Sequence, residues 1–295
     1  MKTKKSITLI HQDHSSHWVG DGFPVQNVFG YHDLAKEMDP FLMLDYAGPY
    51  DFPPSNAQRG VGPHPHRGFQ TVTLMYAGEV THRDSAGGGG SIGPGDVQWM
   101  TAGAGVIHEE MHSAAFTRTG GRFEAIQLWV NLPAAHKMTP PRYQDIPSAR
   151  IPVVALPDGS GEVRIIAGEY LGIKGPARSF TPLDLWEVTT TSGTQTLMVQ
   201  DSERPAALFL VRGELGVEEN RKVSGPTLII FSAKHREIEF STHQDATLLY
   251  MSGVPLREPI LGYGPFVMNT QEEIRDAIND YKEGRFNAIS PTSSS

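Results

Sequence analysis

Four residues of this chain have the types and spacing for metal chemistry. His64 and His66 lie in Pro63-His64-Pro65-His66-Arg67-Gly68-Phe69, and His108 and Glu110 in Val106-Ile107-His108-Glu109-Glu110. In an extended strand, side chains two apart point to the same face, so each dyad can converge on one point. Two such dyads on facing strands would make a site of three imidazoles and one carboxylate. That donor set suits Fe(II), and Cu(II), Ni(II), Mn(II) or Zn(II) also accept it, because imidazole binds most divalent metals and the carboxylate adds a hard anionic oxygen. A lone histidine on a strand is more often a satisfied polar side chain, and the chain has 12 His. The setting favours ligands here: Gly62 and Pro63 precede the first dyad, a strand-like run from Phe69 to Tyr76 follows it, and the second dyad follows its own turn.

Two other motifs compete for attention. His108-Glu109-Glu110-Met111-His112 fits H-E-x-x-H, which on a helix presents two zinc ligands and a general base. The preceding Thr101-Ala102-Gly103-Ala104-Gly105-Val106-Ile107 disfavours a helix already under way at His108, so a metalloprotease is not expected. On a strand, His112 shares the face of His108 and Glu110 and is read as an exposed neighbour, with a supporting role behind the ligands as the alternative. Gly88-Gly89-Gly90-Ser91-Ile92-Gly93 is formally G-x-G-x-x-G, but Pro94-Gly95-Asp96 follows where a dinucleotide site needs a helix. It reads as a flexible hairpin loop.

The elements that must carry the dyads are strands. Among 295 residues, 31 Gly and 22 Pro suit many short strands and turns better than long helices, and the length suits two domains. A formal net charge of −8 without a basic cluster argues against direct nucleic-acid binding or an anionic membrane surface. The absence of cysteine removes disulfides and thiolate chemistry. The basic start Met1-Lys2-Thr3-Lys4-Lys5 leads into too short an apolar run for a signal peptide, and no stretch is long enough to span a membrane. A cytoplasmic protein is the expectation.

An internal repeat organises the chain. Thr71 to Val80 and Ala207 to Leu215 both read as an alternating apolar strand ending in Gly-Glu, at Gly78-Glu79 and Gly213-Glu214. Each copy then has a Gly/Pro turn and a late apolar strand ending in proline, at Pro133 and at Pro255. This predicts two copies of one β-barrel module, at 1–138 and 139–295. Positions matching His64 and His66 by offset are Val199 and Asp201, and His235 and His243 form no dyad, so the second copy is expected to be metal-free. Thr270-Gln271-Glu272-Glu273 is a capping box; Ile274, Ala277, Ile278 and Tyr281 then recur at helical spacing until Gly284. A short amphipathic helix follows from that pattern, and Ser290 to Ser295 is expected to be a disordered tail.

Taken together, Pro63 to Phe69, Gly95 to Gly103, the His108/Glu110 pair, Gln127 to Pro133 and Gly264 to Thr270 resemble segments of the pirin family in the same order, across nearly the whole chain. The resemblance implies an all-β bicupin of two jelly-roll-like β-barrels with a short C-terminal helix. It implies iron ligation by His64, His66, His108 and Glu110 in the N-terminal barrel. Many cupins carry a glutamate ligand shortly after the His-x-His; Gln70 stands there, so the carboxylate must come from Glu110. Gln70 then either lies behind the ligands or pairs with a neighbouring strand. His82 is read as a strand-end surface histidine, with support of the ligands as the alternative. Two functions of different class follow from the resemblance. One is a flavonol ring-cleaving dioxygenase of the quercetin 2,3-dioxygenase type, with Glu110 taking the substrate's proton and CO released. The other is a non-enzymatic, iron-dependent redox regulator that binds a protein partner, as a transcription cofactor or a regulator of a metabolic enzyme. Open coordination positions inside a barrel favour the enzyme.

Overall fold

The computed structural model describes residues 4–12, 15–191, 193–198, 204–218 and 221–289. The tail at 290–295 and the offset positions 199 and 201 lie outside them. The described residues form two compact β-rich units, each with one seven-stranded, one four-stranded and one two-stranded sheet, as the repeat predicts. Along the sequence the units interleave rather than meeting at 138/139: of the described residues, one takes 15–35, 41–148 and 257–289, the other 4–12, 36–40 and those between 149 and 256. Strand β1 (Ile7–His11) explains part of this, because it pairs with Thr227–Phe231 and so covers what would otherwise be the open edge of that sheet in the C-terminal barrel. No helix among the described residues is long and apolar enough to cross a membrane.

In the N-terminal barrel the larger sheet has the order β12 (Arg142–Ile146), β9 (Val97–Thr101), β6 (Phe69–Ala77), β11 (Gly121–Asn131), β4 (Phe41–Phe52), β3 (Phe23–Phe29), β2 (Ser15–Val19). The smaller sheet has the order β5 (Gly60–His66), β10 (Val106–His112), β7 (Val80–Asp84), β8 (Gly89–Ile92). Every neighbouring pair in these two sheets is antiparallel. Phe23, Val25, Phe52, Met75, Val80, Phe116 and Phe123 pack into one apolar cluster. That leaves polar inward positions free to serve a site.

The C-terminal barrel repeats the plan with a different filling. Gly78 and Gly213, the repeat's turn glycines, both have positive φ, 87° and 100°, which a side chain would strain. Strand Glu237–Thr242 turns Ile238 and Phe240 inward, into a core with Trp186, Leu197 and Tyr250. Apolar side chains thus occupy the interior. His235 and His243 are exposed, as expected of surface residues.

The C-terminal helix (Gln271–Lys282) has the expected capping box, with Thr270 and Glu273 exchanging hydrogen bonds. Ile274, Ala277 and Phe286 pack with Phe266, Met268 and the half-buried Ile107. This helix also anchors the residue after the second histidine. Arg67 donates to Asp280 at 2.7 Å and to the Ala104 carbonyl at 2.7 Å, and its guanidinium lies 4.6 Å from the Phe286 ring centre. Asp280→Asn should therefore lower stability by about 2 kcal/mol, the scale of a hydrogen bond to a charged group, as read from the denaturation midpoint. A midpoint equal to that of the unaltered protein would show that the pair contributes nothing.

Candidate metal centre

Strand alternation brings the four expected residues into the N-terminal barrel. Along β10, Val106, His108, Glu110 and His112 are buried while Ile107, Glu109 and Met111 are less so, which is the period of a strand. The H-E-x-x-H helix is therefore absent. Glu109, its would-be base, instead accepts from Arg83. His108 sits directly across from His64 on β5, and Val106 across from His66. The ring centres of His64, His66 and His108 lie 4.2 to 4.9 Å apart, and one ring nitrogen of each falls within 4.8 Å of the others. A bulge between His108 and Glu110 interrupts the pairing with β5. Glu110 forms a second such group with His82 and His108, and shares a cavity wall with His64.

The donor atoms could hold a cation. His64 Nδ1 donates to the Gly62 carbonyl at 2.8 Å, which leaves Nε2 as the lone pair of a neutral ring. His108 Nε2 and both His66 nitrogens are buried without a hydrogen bond of normal geometry, although the Pro265 backbone lies near enough to His66 to oppose part of its pKa shift. Buried polar atoms left this way cost free energy, and a metal ion would satisfy them. Burial, followed by the neighbouring imidazoles, holds the His66 and His108 rings well below the usual imidazole pKa. They therefore stay neutral, the form that binds metal.

Three donors orient the carboxylate. Glu110 Oε1 accepts from Thr73 Oγ1 at 3.3 Å and from Gln98 Nε2, and Oε2 accepts from Gln127 Nε2 at 2.9 Å. Of roughly four lone-pair positions on a carboxylate, this leaves one, on Oε2. A single remaining position suits a one-oxygen ligand. Tyr143 OH donates in turn to Gln98 Oε1 at 3.3 Å, and Trp129 Nε1 approaches Gln127 Oε1 at 3.5 Å.

The residues left open by the sequence resolve differently. Gln70 donates to Thr101 Oγ1 on β9 at 2.9 Å; an odd three residues from Thr73 on β6, it lies on the other face and pairs with the neighbouring strand. His112 is not an exposed neighbour: only 2 % accessible, it donates from Nε2 to the Gly22 carbonyl at 2.9 Å among Phe23, Phe52, Phe116 and Phe123. His82 is not a surface residue either. It is fully buried, with Nδ1 3.3 Å from His108 Nδ1, Nε2 3.3 Å from Asp84 Oδ2, and its ring stacked on Tyr143.

Asp84, Thr73, Gln98, Gln127 and Tyr143 were not legible as site residues. His82 and Asp84 did carry a signal, the two-residue spacing that marks the candidate dyads His64/His66 and His108/Glu110. The glycine-rich segment supplies the Asp84 setting: Asp84 Oδ1 accepts the amide protons of Ala86 and Gly88 at 2.8 and 2.9 Å. A Cβ on Gly88 would stand 2.3 Å from Asp84 Oδ2, so only glycine fits. Burial raises the Asp84 carboxyl, but hydrogen bonds from His82 and the Gly88 and Ala86 amides outweigh it and hold the group below the usual range.

A cavity of about 50 Å³ adjoins the cluster. Its lining includes the apolar Phe23, Val25, Ala47 and Ala125 together with His64, Glu110, Asp45 and Gln127. Asp45 accepts from Asn27 at 2.8 Å, and burial raises its carboxyl pKa.

Comparison with known proteins agrees with this architecture. The pirin profile matches residues 22–130 and that of the pirin C-terminal cupin domain residues 185–287. The chain is 50% identical over 282 residues to a Pseudomonas aeruginosa protein named "Putative quercetin 2,3-dioxygenase", covering 96% of this chain and 98% of that one. It is 38% identical over 269 residues to a pirin-like protein of Solanum lycopersicum, with coverage of 90% and 88%. A crystal structure described as quercetin 2,3-dioxygenase from Acinetobacter baumannii superposes with a TM-score of 0.93 at 49% identity, covering 97% of this chain and 100% of that one.

Proposed function

Because this chain belongs to the pirin family, we propose that its N-terminal barrel holds a divalent metal, Fe(II) first among the candidates, and cleaves the ring of a quercetin-type flavonol with O2 and release of CO. The ligands of this proposal are His64, His66, His108 and Glu110. The observation that carries it is the set of buried imidazole nitrogens without partners beside a carboxylate with one open position. When bound, such a metal supplies a Lewis acid that eases ionisation of a substrate hydroxyl and a redox centre for O2.

The chain's own residues do the rest. The apolar wall of Phe23, Val25, Ala47 and Ala125 packs the substrate ring and excludes water. The cavity is far smaller than the roughly 300 Å³ or more of a drug-sized pocket, so the flavonol enters hydroxyl end first and rests its bulk at the mouth, beside the half-buried His64. Asp45, steadied by Asn27, is placed on the cavity wall to bond a second hydroxyl. Glu110 receives the proton of the ionising hydroxyl. Oε2, with its open position, would hold the metal, which leaves Oε1 to take the proton; there the Thr73 hydroxyl, with the longest of the three bonds, turns from donor to acceptor.

Anaerobic mixing with quercetin followed by O2 is the test. The expected result is O2 consumption matched by CO release, lost when metal is stripped and restored by Fe(II). No turnover of any flavonol, with ferrous and ferric protein differing in affinity for a protein partner, would instead establish the regulator.

A further inference from the structure

We propose that Asp84 and His82 form a positioning relay that sets the tautomer of His108 and so makes its Nε2 available to metal. The inference rests on the ligand set proposed above and adds residues that do not touch the metal. An ionised carboxylate only accepts, so the 3.3 Å contact between Asp84 Oδ2 and His82 Nε2 requires the proton on that nitrogen. In a neutral ring the other nitrogen is then an acceptor. His82 Nδ1 faces His108 Nδ1 at 3.3 Å, so His108 must donate from Nδ1, and its lone pair is left on Nε2. That is the nitrogen found buried without a partner.

The rest of the setting serves this polarity. Cross-strand register places Asp84 opposite His108 and His82 opposite Glu110 on β7 and β10. Tyr143 stacks on the His82 ring at 4.9 Å and 16°, fixing its plane. Asp84 cannot turn, because Oδ1 is committed to the amides of Ala86 and Gly88. His82 and Glu110 also group with His108 as potential ligands, but His82 uses both nitrogens in the chain from Asp84 to His108.

Asp84→Asn tests the relay almost without change of shape. The Asn oxygen stays on the two amides, since turning it away would set its NH2 group against the Ala86 and Gly88 amide donors. The NH2 then donates to His82 Nε2, the His82 proton moves to Nδ1, and His108 must accept there and carry its own proton on Nε2. The ligand lone pair is gone. Anaerobic Fe(II) titration should show affinity weakened about ten- to a hundredfold, the usual effect of removing a group that orients a metal-binding histidine. Nitrogen-15 spectra of the metal-free protein should place the His108 proton on Nδ1 in the unaltered chain and on Nε2 in the variant. In a His82→Phe background, where the relay is already cut, Asp84→Asn should cost nothing further. Unchanged affinity in Asp84→Asn, an equal loss in the His82→Phe background, or a His108 proton on Nε2 in the unaltered chain would each overturn the relay. Failure of the unaltered chain to bind Fe(II) would instead overturn the ligand set, and the spectra would still decide the relay.

Discussion

His64→Ala, His66→Ala and His108→Ala should each reduce bound metal from stoichiometric to background in protein isolated without added metal, whereas His112→Ala should retain it. Each of the first three removes one of the imidazoles that cluster within 4.8 Å, and the remaining donors cannot close around the gap because they sit on paired strands. His112 lies on the same strand face two residues beyond Glu110, but its Nε2 proton is committed to Gly22 and its ring to phenylalanines. Its replacement should lower stability without emptying the site. Elemental analysis of the four variants decides between the assignments, and a His112→Ala protein without metal beside a His64→Ala protein with it would sink the present one. Acid should release the metal late. Burial and neighbouring imidazoles keep His66 and His108 below the ordinary value of 6.5, so they become protonated, and lose the metal, only at pH below it.

Glu110→Gln should cost the proposed dioxygenase about a hundredfold to ten-thousandfold in turnover per bound metal, the usual contribution of a positioned base. The amide has lost the charge that attracts both metal and proton. It also brings an NH2 group against Gln98 or Gln127, both of which now donate to the carboxylate, so one must turn its side chain over. Normalising turnover to metal content separates loss of the base from loss of the ion. A variant that turns over at the unaltered rate per metal would assign the proton to another group. Asp45 on the same cavity wall would then be the next carboxylate to replace.

The period of two was legible in the sequence and determined much of this protein. It put His64 with His66 and His108 with Glu110, and it showed two barrel modules from a repeated strand and turn. The glycines before His108 ruled out a helix there, and the capping box at Thr270 marked the C-terminal helix, because these are local effects of backbone freedom and hydrogen bonding. Register is not local. The pairing of His108 with His64, the bulge beside Glu110 and the placement of His82 across from Glu110 follow from which strands meet and in what phase. Only the folded sheets decide that. The same holds for burial: Thr81-His82-Arg83-Asp84 looks like any polar strand end, yet the barrel encloses His82 and Asp84 while turning Arg83 out to Glu109. The sequence determined which groups could act together, since spacing along one strand is covalent; the tertiary structure decided which carry protons for which, since that depends on contacts between strands.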